Sequence, residues 1–453
     1  MTGDSAVVPR RGRGTELALL AFAIAIAAAA YVAVDLGATG QIQPGAFGYT
    51  VGLVVITGAA HMVIRQWAAY ADPTILPIVV ALTGLGLAMI HRLDVAEGTT
   101  SASTQLTWMI VGVAGFIGVL ILIRDHRVLS RYTYTAGLLG IVLLLLPLLP
   151  LIGQEIRGAR IWIQIGSMTF QPGEAAKIVL IVAFAGYLVR TKDALALAGR
   201  RVLGVDLPRA RDLGPILMVW VAALGILGVQ NDLGPSLLIF GIFVLMIYVA
   251  TERISWIVLG LTLALVGGLA ANATFAHVQA RIQAWLDPFA DPDRFGQIIQ
   301  SLYGLAYGGL TGTGLGQGRP DLVPIAKSDF IIAAFGEELG LAGLMAIIML
   351  YALLASRGLR AALVLRDPFG KLLAMGLAAG LLLQVFIVIG GVTKLIPLTG
   401  LTTPFLSLGG SSLVMNWVLV ALLVRLTDAA RRPAPTAPPR AVDDAETQVV
   451  RLP

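Results

Sequence analysis

The segment PIAKSDFIIAAFGEELG, from Pro324 to Gly340, carries a carboxylate, Asp329, where a polar, glycine-rich stretch turns into a long apolar run. Glu337 and Glu338 follow inside that run. Acidic groups in or beside hydrocarbon are costly, so a functional reading is the default for them. Four cations precede Asp329 in the stretch 276–329: Arg281, Arg294, Arg319 and Lys327. A carboxylate beside several cations suits an anionic ligand, which arginine binds with a two-pronged fork.

Three other polar places stand out. QPGEAAK, residues 171–177, puts Pro172 and Glu174 at a helix start, and Glu174 and Lys177 share a helix face at a spacing of three. That pair serves equally as a structural ion pair. QNDLG, residues 230–234, sits in a tight turn, where Asp232 reads first as a cap on the following helix. Residues 394–412, KLIPLTGLTTPFLSLGGSS, are broken by proline and glycine and rich in hydroxyls. Irregular backbone at membrane depth has to line a cavity or be buried in protein. The run GGLTGTGLGQG, 308–318, allows close backbone approach but lacks the Gly-Lys-Ser/Thr of a Walker A loop, so it gives ATP hydrolysis no support.

The elements that position these groups follow from composition. The 453 residues are 57% hydrophobic and 13% charged, with mean hydropathy +0.86; a soluble domain carries about 25% charge. The chain reads as an all-α polytopic membrane protein. There is no cysteine, and the four histidines form no HExxH pair, which weighs against a metalloenzyme. No basic segment is interleaved with aromatics, which argues against nucleic acid. The first apolar run is long enough to span and is read as retained rather than as a cleaved signal.

Apolar runs of spanning length lie near 16–36, 46–64, 73–90, 105–123, 133–153, 174–189, 213–230, 233–250, 254–275, 330–356, 371–392 and 410–427, which makes twelve helices. With Arg10, Arg11 and Arg13 in the cytoplasm, most cation-rich connections fall on that side, as the positive-inside rule requires; the outer connections 154–173, with Arg157 and Arg160, and 276–329 break it mildly. Both termini are then cytoplasmic, and Asp329 is extracytoplasmic. The expected organisation is a cytoplasmic N-terminus (1–15), an extra helix pair (16–71), a core (72–428) with a large outer loop (276–329), and a disordered cytoplasmic tail (429–453). GxxxG at Gly376–Gly380 permits close helix packing. Glu337 and Glu338 read mainly as structural.

The segments QPGEAAK, QNDLG, LDPFADP with GQIIQS, GGLTGTGLGQG, SDFIIAAFGEELG and PLTGLTTPFLSLGGSS occur in the order seen in SEDS proteins, the RodA, FtsW and SpoVE family. The resemblance covers about residues 72–428. It implies a ten-helix core, here preceded by two further helices, as in the actinobacterial RodA-type arrangement. It also implies a peptidoglycan glycosyltransferase that polymerises lipid II beside a class B penicillin-binding protein. The family's essential carboxylate falls on Asp329. Departures from the commoner pattern include Lys327-Ser328 for His-Thr, Gly173 for Ser, Asn231 for Pro and Leu408 for Tyr; the Lys-Ser spelling resembles the elongation branch more than the division branch.

On this resemblance Asp329 is the expected general base for the acceptor hydroxyl. Lys327 and the helix start are expected to lower its pKa, and partial burial to raise it. Arg160, Lys177, Arg294 and Lys394 are candidate pyrophosphate ligands, with Glu174, Gln297 and Ser411 as further substrate contacts. No cofactor is called for, although a divalent cation such as Mg2+ could bridge carboxylate and pyrophosphate. The rival readings are a lipid II flippase, a division-type polymerase of the FtsW kind, and a non-enzymatic scaffold for penicillin-binding proteins.

Overall fold

A computed structural model describes residues 12–433, apart from 157, 167, 197–199, 203, 204, 208, 209 and 231. The expectations placed on Arg10, Arg11, Arg157, Asn231 and most of the tail therefore lie outside the described residues. The helices, in chain order, are α1 Arg13–Thr39, α2 Gly45–Trp67, α3 Ile75–Glu97, α4 Ser101–Leu122, α5 Thr133–Leu145, α6 Pro172–Ala196, α7 Ala210–Val229, α8 Leu233–Thr251, α9 Ser255–Thr274, α10 Ala276–Leu286, α11 Pro292–Gly308, α12 Ile331–Val364, α13 Pro368–Val392 and α14 Gly410–Arg431. Among the described residues, eleven helical stretches are long and apolar enough to cross a membrane, and α7 contributes a shorter apolar piece, Leu217–Val229. Each of the twelve runs read from the sequence contains helix, but only eleven reach spanning length; the run 213–230 is the shorter one.

Two features go beyond the all-α expectation. Strands β1 (Gly153–Ile156), β2 (Ala159–Ile165) and β3 (Met168–Phe170) form a small antiparallel sheet between α5 and α6, and Arg200–Val202 pairs with Val205–Leu207 between α6 and α7. The expected run 133–153 ends as an α-helix at Leu145, where a 3-10 turn carrying Pro147 follows. The long connection before α12 holds two amphipathic helices. Its Asp-Pro steps act as caps: Asp287 accepts from the N–H of Phe289 at 3.1 Å, and Asp291 from that of Arg294 at 3.2 Å, with Pro292 opening α11.

Helices α3, α6, α13 and α14 form the buried centre, whereas α9 faces outward almost throughout. The GxxxG of α13 does bring helices together: Gly376 packs on Ile181 and Met246, and Gly380 on Ile242, joining α13 to α6 and α8.

The 34-residue α12 is interrupted at Gly340, whose φ of 67° and ψ of −171° are not helical. The glycine-rich loop 308–318 enters this break. Leu341 and Ala342 donate to the carbonyls of Gly309 and Leu310, while Thr313 and Gly314 donate to those of Glu337 and Glu338. The backbone groups freed by the kink are therefore satisfied by the loop. The two glutamates complete the fastening. Glu337 Oε1 accepts from the N–H of Arg319 at 2.6 Å, and Glu338 Oε2 from that of Gly316 at 2.9 Å. Both are buried, in the structural role expected of them.

The N-terminal pair is built into this fastening. α1 packs along α3, and Gly37 lies directly against the backbone of Leu315 and Gly316, so a side chain there would strike the loop. Asp35 of α1 accepts from the backbone N–H of Gln43 at 3.0 Å and pairs with His91 of α3 at 2.8 Å. The His91 ring stacks on Tyr31.

Candidate functional site

Asp329 lies half-buried in the turn that leads into α12. The two residues before it are pinned to the irregular segment 394–412. Leu408 donates to the carbonyl of Lys327 at 2.7 Å, and the Ser407 hydroxyl donates to that of Ser328 at 2.6 Å. Gln105 of α4 secures the same segment by donating to the Ser407 carbonyl at 3.0 Å and accepting from Gly409 at 3.2 Å. The Pro/Gly-broken stretch is thus buried in protein, and its freed backbone groups find partners.

Across from Asp329 comes Arg281 of α10. Its Nη1 donates to the carbonyl of Thr399 at 3.0 Å. The next residue, Gly400, adopts a left-handed φ of 75°; a Cβ there would lie 3.7 Å from Arg281 Nη2 and 3.8 Å from Asp329 Oδ2. A guanidinium and a carboxylate therefore face the same small space above a residue with no side chain. Burial holds the Arg281 pKa below its ordinary value, against the opposing pull of Asp232 and Asp329.

Asp232 belongs to this group. It occupies the position before α8 but its side chain makes no capping bond, so the capping role read from the sequence is not the one it plays. Gly234 instead packs on Leu401 and the Thr399 carbonyl, which brings the turn against the Gly400 segment. Burial pushes the Asp232 carboxyl up to about 7, Arg281 opposing the shift while Glu174 and Asp329 add to it.

Glu174 and Lys177 of α6 form the expected pair at 3.0 Å, and both are buried. Lys177 Nζ also donates to Gln384 of α13 at 2.8 Å, and Gln384 donates to the Thr402 carbonyl at 3.0 Å. The pair is thereby tied to the segment that holds Gly400. Ser411, buried at the start of α14, accepts from the backbone N–H of Gln171 at 2.9 Å.

The remaining candidates are less gathered. Lys394, half-buried, donates to the Leu286 carbonyl at 3.3 Å at the end of α10. Arg294 is exposed, its guanidinium 5.6 Å from the Phe295 ring. Gln297 is half-buried on α11, and Arg160 is exposed on β2. Among the described residues no group of three or more His, Cys, Asp or Glu side chains is placed to hold a metal ion.

Lys327 departs from expectation. Its ammonium turns to Asp94 at 2.7 Å and Glu97 at 2.8 Å on α3, so its charge is committed there rather than to Asp329. Burial works to lower its pKa, but these bonds outweigh it and raise the pKa. The cation beside Asp329 is Arg281, which sequence reasoning counted among the loop cations without placing it in the site. The available signal was its position in a short amphipathic stretch between Phe275 and Leu286.

A family profile described as "Cell cycle protein", covering FtsW, RodA and SpoVE, matches residues 73–432. The chain is 50% identical over 434 residues to the peptidoglycan glycosyltransferase RodA of Mycobacterium tuberculosis, covering 94% of this chain and 92% of that one. A chain from a peptidoglycan synthase complex, solved in a study of coordinated polymerization and crosslinking, superposes with a TM-score of 0.55 at 26% identity, over 84% of this chain and 97% of its own. The fold of the Thermus thermophilus rod shape determining protein RodA matches with a TM-score of 0.54 at 24% identity, over 79% of this chain and 96% of that one.

Proposed function

The chain belongs to the FtsW, RodA and SpoVE family and is a multi-pass membrane peptidoglycan glycosyltransferase, and we propose that it polymerises lipid II with Asp329 as general base. The observation that carries this reading is the space above Gly400, which Asp329 Oδ2 and Arg281 Nη2 both border. An acceptor sugar hydroxyl placed there gives its proton to Asp329 as its oxygen attacks the donor's anomeric carbon. The bond from that carbon to the lipid pyrophosphate breaks, and the electron pair leaves with the pyrophosphate. One displacement converts an α-linked donor into a β-linked glycan.

Arg281 supplies positive charge where negative charge grows on the leaving oxygen. Lys394, Arg294 and Arg160 are further proposed pyrophosphate contacts. The buried Glu174–Lys177 pair sets the position of the Gly400 segment through Gln384 and Thr402, with Lys177, Ser411 and Gln297 reaching the substrate's polar groups.

We place the site on the extracytoplasmic side and both termini in the cytoplasm, in keeping with the charge asymmetry of the connections. The family core is then ten helices, with α1 and α2 added before it. A class B penicillin-binding protein is the proposed partner, in line with the synthase complex that holds the structural relative. The identity to a mycobacterial RodA supports a role in elongation.

The test is the reaction itself. The purified chain, with its crosslinking partner, is given lipid II, and products are resolved on a gel. Glycan ladders support the polymerase reading. Movement of lipid II between leaflets without ladders would support the flippase instead.

A further inference from the structure

Far from Asp329, three connections converge on a cavity of about 410 Å³. It lies at the other end of α12, whose first turn adjoins Asp329 and whose last residue, Val364, lines the cavity. The segment after α4 brings Arg124 and Arg127, the segment between α12 and α13 brings Arg366, and the end of α14 brings Arg425 and Arg432.

The carboxylates in the same wall are already engaged. Asp428 accepts from Arg432 at 2.8 Å and from the backbone N–H of Tyr70 at 2.9 Å, and lies 3.7 Å from Arg425. Asp367 caps α13 through the N–H of Gly370 at 2.6 Å, and bonds His126 Nε2 at 3.0 Å, with Arg127 at 3.7 Å. Asp125 accepts from the backbone N–H of Arg127 at 2.9 Å. Arg124 and Arg366 have no ion pair or hydrogen bond among the described residues, and both are exposed at the rim.

Arg425 is only 2% exposed. Its Nη1 and Nη2 donate to the carbonyls of Trp67 and Leu120, at 2.7 and 2.5 Å, but its buried Nε has no acceptor. A buried donor left without a partner is costly and calls for an explanation. The cavity thus combines surplus guanidinium charge with a place where membrane-spanning helices end. Basic pockets between spanning helices at this level hold lipid headgroups.

We propose that this cavity is a binding site for a phosphate-bearing anion, held by Arg124 and Arg366 at the rim, with Arg425 in the wall. Arginine forks match phosphate oxygens two at a time. The ligand bridges the connections after α4, between α12 and α13, and at the end of α14, so its binding raises the stability of the folded chain.

The test uses the full chain purified in a zwitterionic detergent. Thermal unfolding is followed with added phosphatidylglycerol, phosphatidylcholine or glycerol 3-phosphate, for the wild type, R124Q/R366Q and the charge-matched control R65Q/R360Q. Both double variants change exposed arginines. The site predicts stabilisation of wild type and control by phosphatidylglycerol but not phosphatidylcholine, with at least about tenfold weaker half-saturation in R124Q/R366Q. Equal stabilisation by glycerol 3-phosphate, lost in the same variant, keeps the site and makes the ligand a soluble phosphate. The proposal is overturned if R124Q/R366Q responds like wild type, if the control loses as much, or if no phosphate probe stabilises the wild type.

Discussion

Arg92 Nε lies 2.8 Å from Glu338 Oε1, joining α3 to α12 across 246 positions of sequence. Both groups are buried, and each holds the glycine-rich loop as well: Arg92 donates to the Gly318 carbonyl at 2.7 Å, and Glu338 accepts from Gly316. The loop enters α12 at its kink, eleven residues after Asp329, so this pair fixes the first turns of the helix that follows the candidate site.

Breaking the pair by removing one partner leaves an uncompensated buried charge. Arg92→Ala should cost about 3–5 kcal/mol of stability, whereas exchanging both residues for methionine should cost much less. Thermal or denaturant unfolding of the single and double variants checks this. Additive losses would show that the two residues do not act as a unit.

The helix pair at the N-terminus should matter to the same loop. Gly37→Leu drives a side chain into Leu315 and Gly316 and should destabilise by about 1–3 kcal/mol, with faster proteolysis within 308–318. An unchanged melting temperature and cleavage pattern would mean that α1 packs on the loop without supporting it.

Asp232 gives a pH signature. With its folded pKa near 7 and an ordinary value of 3.8, the folded chain keeps a proton between those limits that the unfolded chain has released. Its contribution to stability is therefore full below about pH 4 and is lost as the pH rises towards 7 and beyond. Asp232→Asn should flatten that part of the stability profile. Melting temperatures from pH 4 to 8 for both proteins provide the measurement, and parallel profiles would count against the assignment.

The sequence made the spanning helices legible because transfer to hydrocarbon leaves a strong signal: all twelve runs contain helix, eleven of them at spanning length. It was silent on α10 and α11, whose residues alternate between apolar and polar contacts and so never form a spanning run. Asp329 was legible from the cost of an acid beside an apolar run. Its neighbour was not, because Lys327 and Arg281 are both cations of one connection. Only the packing of α3 decides that Lys327 bonds Asp94, 233 positions away, and leaves Arg281 facing Asp329. Glu174 and Lys177 were legible because their partner lies one helical turn away; their tie to Gln384, 207 positions on, was not.

Asp329 is the group on which the proposed reaction depends. Wild type, Asp329→Ala and Asp329→Asn, each shown by thermal unfolding to be folded and each assembled with the crosslinking partner, are given lipid II, and glycan products are read on a gel. Ladders are expected from the wild type and none from either folded variant. Polymer at the wild-type rate from folded Asp329→Ala would contradict that role for Asp329.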